Sequence, residues 1–263
     1  MESAKIAHDQ ELIPPIYLMK NEGIDVLEDW FRWAEEWSVF LRLFGKITAD
    51  SKLLEIGCGL GRIAFPLRYV LSARGLYEGF DICAHKIQFL TKTFHKAYPH
   101  FRFSFANIKN SFYNPEGQIS ASDYFFPFPD NSFDVVLAAS VFTHMLPEST
   151  RNYFRQSARV LNTNGRCIFS FFLFDNYQAG QPRPLGFARP DFNFDHRYKD
   201  YGDEFGIADP CNPEKMTAYS QRLIERYAVQ AGLRTVKGPL SGLWSGSSQN
   251  WVATQDLMIF QKC

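Results

Sequence analysis

The sequence predicts an α/β chain built around a mostly parallel sheet. Three observations lead there. Short apolar, strand-like runs alternate along most of the chain with stretches whose apolar residues recur every three or four positions. The connecting stretches have the length of helical crossovers, which join parallel strands rather than hairpins. The first strand-like run closes on glycines, where a strand turning into a helix needs a permissive backbone.

The elements follow in order. The first fifty residues read as a helical cap, because Leu27, Trp30, Phe31, Ala34 and Trp37 share one helical face. That face either covers an edge of the core or touches substrate. Lys52–Gly57 is the first strand, followed by a helix with Ile63, Leu67, Val70 and Leu71 on its inner side. Leu76–Asp81 is the second strand, and Ile87, Leu90, Phe94 and Ala97 mark the next helix. Phe101–Ala106 is the third strand, and Phe133–Ala139 is the fourth and the most strand-like. Glu148–Leu161 is a helix burying Tyr153, Phe154, Ser157 and Leu161, with Gly165 expected as a left-handed cap beyond it. Cys167–Phe174 is the fifth strand. A helix carrying Tyr219, Leu223, Tyr227 and Ala231 ends at Gly232, and strands near Leu233–Val236 and Leu257–Phe260 bring the total to seven.

Residues 175–213 break this rhythm. They are rich in proline, glycine and aromatics, and a loop this long inside a domain is read as a lid over a binding site. The organisation expected is one domain over residues 1–263. It comprises a cap (1–50), a core (51–174), a lid (175–213) and a C-terminal helix with the last strands (214–263).

Composition narrows the function. The 263 residues carry 28 Lys+Arg and 28 Asp+Glu, a formal net charge of zero, so no basic face for a nucleic acid is expected. Twenty-six phenylalanines argue for a large core or an aromatic-lined pocket. The five cysteines, Cys58, Cys83, Cys167, Cys211 and Cys263, are scattered and odd in number, which supports neither a disulfide framework nor a zinc site. Asp9, Gln10 and Glu11 interrupt any signal-peptide pattern, and no apolar run approaches bilayer length. The expectation is a cytoplasmic protein without membrane, nucleic-acid or metal partners.

Most of the functional information lies in Leu54-Glu-Ile-Gly57-Cys-Gly59-Leu-Gly61-Arg62. A dinucleotide loop would place a third small residue where Arg62 stands, and Arg62 would crowd a pyrophosphate there. Glu55 at the tip of the first strand suits a cationic ligand group and repels phosphate. Asp81 ends the second strand, twenty positions after Gly61, where an acid can hold both ribose hydroxyls. A ligand-free tight turn for the glycines and a helix N-cap for Asp81 are the structural alternatives.

The pattern Glu-x-Gly-x-Gly-x-Gly after the first strand, with an acid ending the second, resembles the class I methyltransferases that use S-adenosyl-L-methionine. The resemblance covers roughly residues 50–175 and includes Pro127-Phe-Pro-Asp-Asn-Ser-Phe-Asp134 and Arg159-Val-Leu-Asn-Thr-Asn-Gly165. It implies a Rossmann-like, seven-stranded fold. It also implies that Gly57, Gly59, Gly61 and Arg62 line the cofactor, with Glu55 toward its amino group, Asp81 on the ribose and Ile82 on the adenine. Ser140, in the loop after the fourth strand, completes that set. The adenine amino group would be met near Asn107, although an insertion (Lys109 to Ser122) lets Asp123 fold back in its place.

Methyl transfer from a sulfonium is an in-line displacement, so alignment matters most, and a hydroxyl acceptor also needs a base. The loop after the fourth strand carries His144, whose imidazole titrates near neutrality and suits that role. His196, between Asp195 and Arg197 in the expected lid, is a second candidate, and Tyr177, Phe187, Phe192 and Tyr198 are candidates for lining the acceptor pocket. The reading is methyl transfer to a small-molecule acceptor, O-methylation ahead of N or C. An NAD-dependent oxidoreductase and a non-catalytic cofactor-binding relative are the alternatives.

Overall fold

The computed structural model describes residues 9–20, 22–176, 193–246 and 250–263. The chain divides into two compact units, Met1–Ala106 and Asn107–Cys263.

In the first unit, α1 (Ile16–Lys20) and α2 (Leu27–Phe40) form the cap. Trp30, Ala34 and Trp37 are buried as the helical spacing requires, while Leu27 is exposed. Met19, Ile24 and Trp30 make a small core with Phe31, Trp33 and Phe65. Strand β1 (Lys52–Ile56) leads through the glycine loop into α3 (Ala64–Leu67). The predicted longer helix there is cut short. Successive turns continue to Leu71 and keep Ile63, Leu67 and Leu71 inward, with Pro66 lacking the amide a regular helix would use. Strands β2 (Leu76–Asp81) and β3 (Phe101–Phe105) flank α4 (Ala84–Ala97), and β1–β2 and β2–β3 pair in parallel.

The second unit opens with the insertion, which forms two short parallel strands, β4 (Ile108–Lys109) and β5 (Ile119–Ser120). Then come β6 (Phe133–Ala138), α5 (Pro147–Val160) and β7 (Leu161–Phe171). Proline opens α5 at a position where its missing amide costs nothing. Gly165 is not a helix cap. The chain passes from α5 straight into β7 at Leu161, and Gly165 lies within the strand. A side chain there would meet the carbonyls of Asn162 and Asp134 at 2.8 and 3.1 Å, so close packing demands the glycine.

Beyond the core strands, β8 (His196–Arg197), β9 (Phe205–Ile207) and β10 (Thr217–Tyr219) form a small antiparallel sheet. Strands of two and three residues are too short to leave a periodic signal, so the sequence hid them. Helix α6 (Gln221–Gln230), β11 (Leu233–Leu240) and β12 (Asp256–Lys262) complete the chain. The mostly parallel main sheet has seven strands, β1-β2-β3 in the first unit and β11-β12-β7-β6 in the second, with β12 antiparallel to both neighbours. The aromatic richness is spent largely on core. Phe142, Phe154, Phe169, Phe171 and Phe260 are buried against one another, with Phe142 and Phe171 stacked at 5.1 Å. Among the described residues no helix is long and apolar enough to cross a membrane.

Candidate functional site

Parallel α/β sheets bind ligands at the carboxyl ends of their strands; the glycine loop follows β1, Asp81 ends β2 and Ser140 follows β6. After β1 the loop turns on three left-handed glycines, Gly57 (φ 71°), Gly59 (φ 51°) and Gly61 (φ 77°). Gly57 and Cys58 amides donate to the Phe80 carbonyl at 2.8 and 3.1 Å, which ties the loop to the end of β2. Gly79, in the middle of β2, permits this: a side chain there would sit 2.8 Å from Cys58 Cβ. Asp81 completes the tie, its Oδ2 accepting from the Gly59 amide and its Oδ1 from the Cys83 amide, both at 2.8 Å. The Cys83 side chain also hydrogen-bonds this carboxylate, which has about four acceptor positions in all. Ile82 beside it is half-buried.

Glu55 is only 3 % exposed and accepts a hydrogen bond from the Tyr77 hydroxyl. Burial pushes its carboxyl up to about 8, assisted by the charges of Asp81 and Glu22 and opposed by Tyr77 and Arg62. Arg62 lies 5.4 Å from the Trp33 ring centroid. Burial lowers its guanidinium, while Glu22, Glu55 and Glu36 favour its charge. Lys86, in the first turn of α4, forms an ion pair with Glu22 at 2.9 Å. Burial alone would lower the ammonium, but Glu22 and Asp81 hold it above its ordinary value. Among the described residues no cluster of three or more metal-ligating side chains occurs.

Sequence reasoning missed Glu22, Trp33, Glu36, Tyr77 and Lys86. Lys86 had left a signal, since a cation in the first turn of a helix opposes the helix dipole unless an acid compensates it. Glu22 had none, because a turn residue in a cap carries no periodicity.

In the second unit, Ser140 follows β6 with a left-handed backbone (φ 58°) and donates its amide to Ser170 Oγ at 2.8 Å. Such strained non-glycine residues concentrate at functional sites. His144 ends the 3-10 turn Phe142–His144, which Thr217 and Tyr219 of β10 clamp by donating to the carbonyls of Phe142 (2.9 Å) and Met145 (2.6 Å). The insertion packs on His144: Asn110 Nδ2 donates to its carbonyl at 3.0 Å, and the Tyr113 hydroxyl lies 3.4 Å from Nε2. Nδ1 lies 3.3 Å from the Glu214 carbonyl. Tyr113, Asn110 and Glu214 were not legible as site residues, since they reach His144 from the insertion and from the turn before β10.

Asn107 accepts the Gln118 and Ile119 amides on its carbonyl, and Asp123 lies exposed beyond β5. His196 is exposed on β8, and Tyr198 is half-buried against Phe205 at 5.7 Å. Tyr177, Phe187 and Phe192 lie outside the described residues.

Residues 54–169 match the family model described as "Methyltransferase domain". Over that span, which is less than half of its length, the chain carries a methyltransferase domain that uses S-adenosylmethionine. Three solved structures share its fold. One is geranyl diphosphate C-methyltransferase from Streptomyces coelicolor A3(2), solved with Mg2+, geranyl diphosphate and S-adenosyl-L-homocysteine. It is 13 % identical, with 88 % of this chain and 81 % of that chain covered, at a TM-score of 0.54. Another is magnesium protoporphyrin IX methyltransferase from Synechocystis PCC 6803 with bound S-adenosylmethionine, at 12 % identity, 91 % and 85 % coverage and a TM-score of 0.51. The third, PH0226 protein from Pyrococcus horikoshii OT3, is 15 % identical over 88 % of this methyltransferase and 90 % of its own chain, with a TM-score of 0.54. The cofactor is S-adenosyl-L-methionine, and the glycine loop fits it: three left-handed glycines stand between the buried acid Glu55 and the acid Asp81, which ties the loop to the end of β2.

Proposed function

We propose that this methyltransferase alkylates a small-molecule acceptor, with a hydroxyl oxygen favoured as the acceptor atom. One observation carries the preference. The Glu214 carbonyl beside His144 Nδ1 has only lone pairs to offer, so Nδ1 keeps the imidazole proton. Nε2 is then the basic nitrogen, and it accepts from the Tyr113 hydroxyl. In this tautomer the imidazole can take a proton from an acceptor hydroxyl that replaces the phenol.

The cofactor supplies an electrophilic methyl carbon whose leaving group departs as a neutral thioether. The chain supplies the rest. Gly57, Gly59, Gly61, Arg62, Asp81 and Ile82 hold the cofactor on the loop and Glu55 meets its amino group; Ser140 and Asn107 are the second unit's candidates for cofactor contact. His144 Nε2 accepts the hydroxyl proton as the new oxygen–carbon bond forms and the sulfur–carbon bond breaks, so charge and atoms balance. Tyr198, half-buried against Phe205, is the candidate for the acceptor side among the described residues. His196, exposed on β8, is the second acid–base side chain of this reading. The chain's balanced charge supports a small acceptor over a polyanion, and the geranyl diphosphate bound by the Streptomyces enzyme is a small molecule on the same fold.

The test is an acceptor panel of phenols, alcohols, amines and enolisable carbons with methyl-labelled cofactor, followed by His144→Ala on whichever acceptor turns over. A hydroxyl acceptor and a drop of about 10²–10⁴-fold in kcat are expected, with S-adenosylhomocysteine affinity kept. Unchanged turnover in His144→Ala removes the base, and turnover confined to amines removes the hydroxyl preference.

A further inference from the structure

One side chain at the glycine loop has no role in methyl transfer as derived above. Glu22 belongs to the turn between α1 and α2, yet its carboxylate rests on the bare face of Gly59. A Cβ at Gly59 would stand 2.7 Å from Glu22 Oε1 and 3.5 Å from Oε2. Gly59 has a left-handed backbone (φ 51°) that calls for a glycine, and its bare face lets a ligand approach the backbone closely. The carboxylate is held there by Lys86, whose Nζ is 2.9 Å from Oε1, with the two side chains only 10 % and 17 % exposed for Lys86 and Glu22 respectively. Oε1 is buried, with the Lys86 ammonium as its ion-pair partner. Glu22 also adds a third acid to a site that already contains Glu55 and Asp81, and it bears on both Glu55 and Arg62.

Gly23 follows Glu22 in the turn between α1 and α2. Gly23 has φ 73°, and nothing lies within 4 Å of the place its side chain would occupy. Three backbone bonds close the turn (Glu22 to Met19, Gly23 to Lys20, Ile24 to Met19), so a swing of the carboxylate can be absorbed beside the glycine while Ile24 stays in the cap core.

We propose that Glu22 sets the affinity of the methyltransferase for its cofactor by competing with it for the face of Gly59. In the ligand-free protein the Glu22–Lys86 pair covers the loop. Binding requires the carboxylate to leave, while Lys86 remains beside Asp81 as its counter-charge. The apparent dissociation constant is therefore the intrinsic one divided by the fraction of molecules in which Glu22 has left the loop. This rests on the reading that Gly57–Gly61 is the cofactor loop.

The experiment is calorimetric titration of S-adenosylhomocysteine into wild type, Glu22→Ala, Glu22→Gln and Asp81→Ala. Glu22→Ala removes the competitor outright. Glu22→Gln keeps the side chain's size while discharging its pair with Lys86, which guards against a cap disturbed by truncation. Binding about tenfold tighter than wild type in either Glu22 variant is the expected result. Equal or weaker binding in both overturns the proposal, and weaker binding in both makes Glu22 a ligand instead. Asp81→Ala separates the two claims: wild-type affinity there dismisses the loop assignment itself, whereas lost binding there with no tightening in the Glu22 variants dismisses the competitor alone.

Discussion

The two units bury acids for opposite purposes. In the second unit, Asp256 is fully buried and satisfied by neutral donors: the Gly242 amide at 2.7 Å on Oδ1, and the Trp244 indole (2.6 Å) and the Leu173 amide (2.9 Å) on Oδ2. It fastens β12 to the core of Phe172, Phe194 and Trp244. In the first unit, Glu55 is just as deep but lies between one phenol, one guanidinium and two further acids, and burial leaves it reluctant to ionise. The lesson is that burial alone does not identify a functional acid. What separates the two is whether neutral donors already surround the carboxylate or a charge is still wanted.

The largest effect that sharpens this contrast is on stability. Asp256→Ala strands three buried donors, each worth about 1–3 kcal/mol when left without an acceptor. A loss of about 3–5 kcal/mol is expected in urea unfolding, with S-adenosylhomocysteine still bound well below the melting temperature. A loss under about 1 kcal/mol would mean that the donors find other acceptors and that the contrast is overdrawn.

Asp81→Ala comes next, and it lies between the two types. The variant strands the Gly59 and Cys83 amides, so about 2 kcal/mol of stability should go. If Asp81 also holds the ribose, affinity for S-adenosylhomocysteine falls at least about tenfold beyond what thermal destabilisation explains. Thermal shift separates the two effects, because ligand at a hundred times its dissociation constant adds about 2.7 kcal/mol to a protein that binds it. Lost stability with the ligand shift intact would make Asp81 a loop tie only.

The same contrast explains what the sequence disclosed. The glycine loop and its acids were readable because a βα turn fixes residue types at fixed spacing, and Gly57, Gly59 and Gly61 do adopt the left-handed backbone that spacing requires. The seven core strands were readable because β1, β2 and β6 are short apolar runs with helices between them. Contacts made by turns and insertions have no period. Tyr113 reaches His144 from the insertion, and Glu214 reaches it through a backbone carbonyl, which no side-chain pattern records. Glu22 reaches Gly59 across 37 positions from a cap turn. Gly165 misled for a related reason: a glycine shortly after a helix reads as its cap, whereas here the carbonyls of Asn162 and Asp134 crowd a strand position until only glycine fits.

The smallest effect is the most specific to the unsatisfied kind of acid. Glu55 folds with its carboxyl near 8 instead of the ordinary 4.5, so between those values the folded protein keeps a proton that the unfolded chain has released. The stabilisation from protonated Glu55 is fully present below about pH 4.5 and is lost as pH rises toward 8, and Glu55→Gln should flatten that slope in the ligand-free protein. An ammonium brought beside Glu55 favours the carboxylate, so binding S-adenosylhomocysteine at pH 7 should release up to one proton. Titrations in two buffers of different ionisation enthalpy count that proton directly, and Glu55→Gln should release none. An equal count in wild type and variant would put the amino group elsewhere, and Glu55 would then belong with Asp256 among the acids that only hold the fold.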